Sequence, residues 1–200
     1  MNLDRRSALL AGLATLLWNA PLRAAPAGRQ PLLLGSPTAP KRFVLWGSLT
    51  CPFTAVMVML LGRMQSDMPA KMAVEWHHFP THSPDPALHV SALAGEGRHF
   101  WPIATEVLKQ VYADEGRFSG LTSARMTEIA LSNGAKANEV EAAIANPALW
   151  DQVKQDFIGG KLMGIRKTPG LFFNGYFLTP DGIPVDLAAF DRELRSMINA

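Results

Sequence analysis

Apolar residues recur along this chain with two different spacings, and the change between them outlines its architecture. Phe43-Val44-Leu45-Trp46 is an unbroken apolar run that predicts a buried strand over roughly Arg42 to Gly47. From Pro52 the spacing becomes helical and continues to about Ser66, where Asp67-Met68-Pro69 breaks it. Met72 to Phe79 alternates well enough for a second strand, and Thr81 to Pro86 is a loop punctuated by proline. Ala87 to about Gly160 contains no strand-like run. Phe100, Ile103, Ala104, Val107, Leu108 and Val111 recur at helical spacing, as do Met126, Ile129 and Ala130 after a start at Thr122 to Arg125. Asn138 is placed to cap a helix through Ile144, and Asn146-Pro147 opens one carrying Leu149, Trp150, Val153 and Phe157. Four inserted helices are predicted.

Strand signals then return. Gly170-Leu171-Phe172-Phe173 and Tyr176-Phe177-Leu178 flank Asn174-Gly175, a strong hairpin signal. Asp186 is placed to cap a last helix with Leu187, Phe190, Leu194 and Ile198 on one face. The order β-α-β, helical block, β-β-α predicts an α/β protein: residues 28–86 form the first part of a sheet domain, 87–160 a helical insertion and 161–200 the second part. Gly28 to Lys41 reads as a Pro- and Gly-rich lead-in holding one apolar patch, Pro31-Leu32-Leu33-Leu34.

Residues 1–27 read as an export signal. Asp4-Arg5-Arg6-Ser7 is a charged start, Ala8 to Trp18 is apolar but shorter than the about 20 residues of a membrane anchor, and Ala25-Pro26-Ala27 fits a small-x-small cleavage site. The paired arginines resemble a twin-arginine signal, and an ordinary secretory signal remains the alternative. Cleavage after Ala27 would take Arg5, Arg6 and Arg23 from the 19 basic residues and Asp4 from the 17 acidic ones, so the net charge of +2 belongs to the signal. A balanced mature surface gives no reason to expect nucleic acid or an anionic membrane as partner, and no later segment has the length and apolarity of a membrane span. A periplasmic or otherwise exported protein is expected.

Export places the single cysteine, Cys51, in an oxidising compartment, where an odd thiol suggests an intermolecular partner or a free reactive group. Cys51 falls where a strand ends and a helix begins. Unpaired N–H groups and the positive end of the helix dipole favour a thiolate there, and Pro52 suits the first helical position. A redox pair would need a cysteine at position 54, but the chain has Thr54. One helical turn on, Thr54 can donate a hydrogen bond to the thiolate. The competing reading is a leftover cysteine in a site that only binds.

Other chemistry-bearing residues carry weaker signals. The five histidines lie between positions 77 and 99, but His77 and His78, adjacent on a strand, point to opposite faces and do not readily share an ion. The methionines at 57, 59, 64, 68 and 72 read as core filling rather than a Cu(I) site. Glu75 is either a partly buried acid near the thiol or a surface position on the second strand. No metal and no cofactor is expected.

Three segments together resemble the DsbA-like family of exported thiol–disulfide oxidoreductases. They are Gly35-Ser36-Pro37-Thr38-Ala39-Pro40, Thr50-Cys51-Pro52-Phe53, and Gly164 to Gly175 with its Thr168-Pro169. The likeness runs from about Pro31 to Ile198. It implies a thioredoxin-like mixed sheet with an inserted all-helical subdomain, and catalytic roles for Cys51 and Pro52, to which the position of Thr54 one turn on adds a hydrogen-bond donor. It also implies a substrate-binding surface at Phe53, Thr168 and Pro169, with a cis bond before Pro169. Without the resemblance, Pro169 would be an ordinary trans proline opening a strand. Thr54 stands where the family has its second cysteine, so a mixed disulfide on Cys51 would need an outside thiol to release it. Glutathione, another redox protein or the substrate's own second cysteine could serve. The expected partners are cysteine-containing proteins or peptides and an external reductant. A homodimer linked through Cys51, or a peptide-binding protein without catalysis, are the alternatives.

Overall fold

The structure is a computed structural model that describes residues 30–82, 84–116, 120–179 and 181–200. The export-signal reading of residues 1–27 lies outside the described residues. Leu32–Ala200 forms one compact unit. Its five-stranded sheet has the order β1-β3-β2-β4-β5. The strands are β1 (Leu32–Leu34), β2 (Lys41–Gly47), β3 (Met72–His78), β4 (Gly170–Phe173) and β5 (Tyr176–Phe177). Only β2 and β3 are parallel, joined through α1 (Pro52–Asp67), and the other pairs are antiparallel. β1 is the patch of three leucines read above as part of a lead-in. It pairs with β3, Leu33 opposite Glu75, and covers the edge of that strand.

The period of two along each strand sorts side chains between the sheet's faces. Phe43, Leu45, Val74, Trp76, Leu171 and Phe173 enter the larger core, which also takes Ala55, Met57, Val58, Leu61 and Met64 from α1. Trp46, Phe172 and Val44 point the other way, into a smaller cluster with Phe79, Ile165 and Phe157. Met57, Met64 and Met72 fill core, as their spacing suggests, while Met59 stays on the surface.

Between β3 and β4 run α2 (Asp85–Ala92), a short 3-10 turn, α3 (Phe100–Ala113), α4 (Ser123–Ser132), α5 (Ala137–Ala145) and α6 (Pro147–Leu162). Among the described residues there are thus five α-helices where four are predicted. The addition is α2, whose Pro86 lies in the first turn, where a missing N–H costs nothing. Thr122 and Asn146 cap α4 and α6 through Arg125 N and Ala148 N. α5 starts earlier than Asn138, at the Lys136 cap, because the Glu139 carboxylate reaches back to the Lys136 N–H (2.9 Å). Asp186 caps α7 (Leu187–Asn199), which buries Phe190, Leu194 and Ile198. Leu187 and Trp150, expected on apolar faces, remain partly exposed, and the Trp150 indole N–H bonds Ile144 O (2.8 Å). Among the described residues no helix is long and apolar enough to cross a membrane.

α6 docks on the smaller cluster by two devices. Gly160 lies against the aromatic rings, where a Cβ would come within 2.7 Å of Phe79 and 2.8 Å of Trp46. Buried Asp156 accepts from the His78 N–H (2.9 Å) and faces His77 Nδ1 (3.1 Å), while His77 Nε2 faces Glu75 (3.2 Å) and its ring stacks on Trp46. Arg42 completes the row at Glu75 (3.3 Å).

Candidate active site

Sheet register brings the site together. β2 and β4 run antiparallel with Trp46 opposite Gly170, so the end of β2 lies beside the start of β4. Cys51, four residues past β2, and Thr168, two residues before β4, therefore meet, and the Cys51 thiol donates to Thr168 O at 3.5 Å. The Thr168–Pro169 peptide is cis. Cys51 is the N-cap of α1, in extended conformation, with Pro52 at the first helical position. Its sulfur is unpaired and 8% of the residue is exposed.

The other residues singled out in the sequence divide. Phe53, next to the cap in sequence, is more than half exposed, while Thr168 and Pro169 are buried. Pro52 packs toward the helical insertion, where a Cβ on Gly116 would come within 3.2 Å of its ring. Thr54 departs from expectation. It is fully buried with its methyl turned toward Gly47, and its hydroxyl has no hydrogen-bond partner among the described residues, Cys51 included. Packing against the end of β2 sets that rotamer and takes the hydroxyl away from the sulfur. Glu75 bonds Arg42 and His77 instead of serving the thiol. The hydrogen bond from His77 is the main reason its carboxyl lies below the usual glutamate range, against the opposing effect of burial.

Two supports of the site escape a linear reading. Thr179, nearly fully buried, donates to Pro169 O (2.8 Å) and accepts from Leu171 N (2.9 Å), bridging the entry to β4 where β5 has ended. Ser48, Leu49 and Thr50, all fully buried, form the turn before Cys51, and Cys51 N donates to Ser48 O (3.3 Å). Asp85 holds that turn, with its Oδ2 accepting from Ser48 Oγ (2.7 Å) and its Oδ1 from Leu49 N (3.1 Å). Burial works against the Asp85 charge. The adjacent His89 imidazole and the hydrogen bonds from Ser48 and Thr81 outweigh it, so the carboxyl lies below the usual aspartate range. Asp85 and His89 stand four apart, a spacing that pairs side chains on a helix, but it carries no signal while Thr81 to Pro86 reads as loop.

A mixed sheet with helices inserted before a cis-proline strand, and a cysteine capping the first helix, defines a thioredoxin-type protein. The chain belongs to the thioredoxin family, whose model matches residues 28–190. Its fold is that of the DsbA-like thiol–disulfide oxidoreductases. Oxidised BdbD from Bacillus subtilis is similar, with a TM-score of 0.71 and 16% identity over 85% of this chain and 94% of that one. Alpha-DsbA1 from Wolbachia pipientis gives 0.66 and 16% over 85% and 92%. Protein-disulfide isomerase from Novosphingobium aromaticivorans gives 0.65 and 20% over 84% and 97%. Among curated proteins, none matches the chain significantly.

Proposed function

We propose that this protein is an exported monothiol oxidoreductase that exchanges disulfides through Cys51. The Cys51 thiolate attacks one sulfur of a substrate disulfide. A Cys51–substrate S–S bond forms as the substrate's own S–S bond breaks, and the second substrate sulfur leaves as a thiolate. An external thiolate such as glutathione then attacks the substrate sulfur of the mixed disulfide and releases Cys51 unchanged. The cycle exchanges partners without net oxidation of the protein, which suits reduction, isomerisation or deglutathionylation. The observation that carries this reading is the single sulfur at the cap of α1, 3.5 Å from the carbonyl of the residue before the cis proline, with threonine at position 54. Thr168 and Pro169 would align an extended substrate beside that sulfur, and exposed Phe53 would give it an apolar contact. Incubation with glutathione disulfide should add one glutathione to the intact mass, absent in Cys51→Ser and removed by free glutathione. No adduct, under conditions where unfolded protein forms one, refutes the reading.

The low exposure of the sulfur favours a second reading, a protein that binds peptides or a partner at this groove without exchange. Retained peptide affinity in Cys51→Ser, together with no adduct in the wild type, would establish it. Export is tested by N-terminal sequencing, which should find the mature chain beginning near Gly28.

A further inference from the structure

Four groups converge on Asp85. Besides Ser48 Oγ and Leu49 N, Thr81 N donates to Oδ2 (2.8 Å), and His89 Nε2 lies 3.2 Å from Oδ1. Both Asp85 and His89 are fully buried. The placement of protons follows from the donors. The Trp76 indole can only donate, and it does so to His78 Nδ1 at 3.2 Å. His89 Nδ1 lies 2.7 Å from that same nitrogen, where the tautomer protonated at Nδ1 shares it with the indole. This leaves His89 Nε2 facing Asp85 and the Leu49 N–H (3.3 Å). On the solvent side, His82 Nδ1 bonds Thr50 Oγ1 (2.9 Å) and Thr81 Oγ1 (3.0 Å). Each group is thus oriented by the one behind it, from the indole in the core to the turn that carries Cys51. A buried charge of this kind is weak evidence for stability, since an apolar replacement of the whole cluster often folds as well. What the cluster supplies is a fixed direction for two backbone N–H groups and one hydroxyl.

We propose that Asp85, oriented by His89, is a positioning residue for Cys51, setting the Ser48–Thr50 turn so that the sulfur reaches the groove beside Thr168. The proposal rests on the reading of Cys51 as a reacting thiol. The test is the rate at which Cys51 in the full folded chain reacts with dithionitrobenzoate, a small disulfide, and separately with iodoacetamide. Asp85→Asn, which places an amide NH2 among donors, should slow both reactions on the order of tenfold. Leu88→Ala, which removes a buried side chain from the same helix, should lower the melting temperature while leaving both rates within about twofold of wild type. His89→Leu should slow the reactions, and His89→Gln, whose amide offers both an N–H and an acceptor oxygen beside Asp85 and Leu49, should restore them. The proposal is overturned if Asp85→Asn reacts at the wild-type rate, if Leu88→Ala is slowed as much, or if His89→Gln is as slow as His89→Leu. Should Asp85→Asn not fold, the His89 pair decides alone. A wild type that is alkylated but does not exchange with the disulfide would sink the proposed function, and the order of variants in alkylation would still decide the positioning role.

Discussion

Replacing Thr179 by valine keeps the shape of a buried side chain and removes its hydroxyl. In the native fold that hydroxyl donates to Pro169 O and accepts from Leu171 N, both within 2.9 Å. Two hydrogen bonds contribute about 1 kcal/mol each, and an orphaned buried N–H at Leu171 adds about 1 kcal/mol or more, so the expected loss is about 3 kcal/mol. For a domain of this size that corresponds to a fall in melting temperature of roughly 6–12 °C. Thr179→Ser is the control, since it keeps both bonds and loses only a methyl group, worth about 1 kcal/mol. Differential scanning calorimetry of the three proteins measures the difference. Because the hydroxyl holds the carbonyl of Pro169, Thr179→Val should also slow adduct formation at Cys51. Equal stability of the valine and serine variants would show that the bridge over Gly170 is not what secures this segment.

Gly160→Ala should destabilise by about 1–3 kcal/mol, because its Cβ meets Phe79 and Trp46, whereas Gly159→Ala, facing open space, should stabilise by about 0.5–1 kcal/mol; urea denaturation distinguishes them. Glu75, held below the usual glutamate range, stabilises fully above the ordinary value of about 4.3 and loses that contribution as pH falls through its lower folded value. Melting temperature should therefore drop less steeply between about pH 5 and about pH 3 in Glu75→Gln than in wild type. Thr54→Cys should form an intramolecular disulfide with Cys51 and gain oxidase activity in oxidative refolding of a reduced protein. Mass spectrometry without such a bond would refute the first-turn geometry.

The parts of the fold with dense local patterning could be read directly. β2, α1 and β3 show their periods within a few residues each, and Asn174-Gly175 marks its hairpin. β1 could not be read because three leucines among prolines and glycines have no period, and their strand identity comes only from pairing with β3. α2 was hidden by Pro84 and Pro86, which read as loop although proline in a first turn is compatible with a helix. At the site, the cysteine at a strand–helix junction was legible. The supports were not, because Asp85, His89 and Thr179 act across the fold. Thr54 illustrates the limit of spacing arguments, since helical proximity placed it near the sulfur but packing chose its rotamer.

The contact that completes the site joins residues 117 positions apart, with the whole helical insertion between them. A chain made from its N-terminus presents Cys51 long before β4 exists to pair with β2. Throughout that interval the thiol has no second cysteine in its own chain to mispair with, so a wrong internal crosslink cannot form. The hazard shifts to other molecules: until Gly170 settles opposite Trp46, a disulfide can meet the sulfur with no groove beside Thr168 to select it, and a newly made chain caught in this way needs an outside thiol to return Cys51 free.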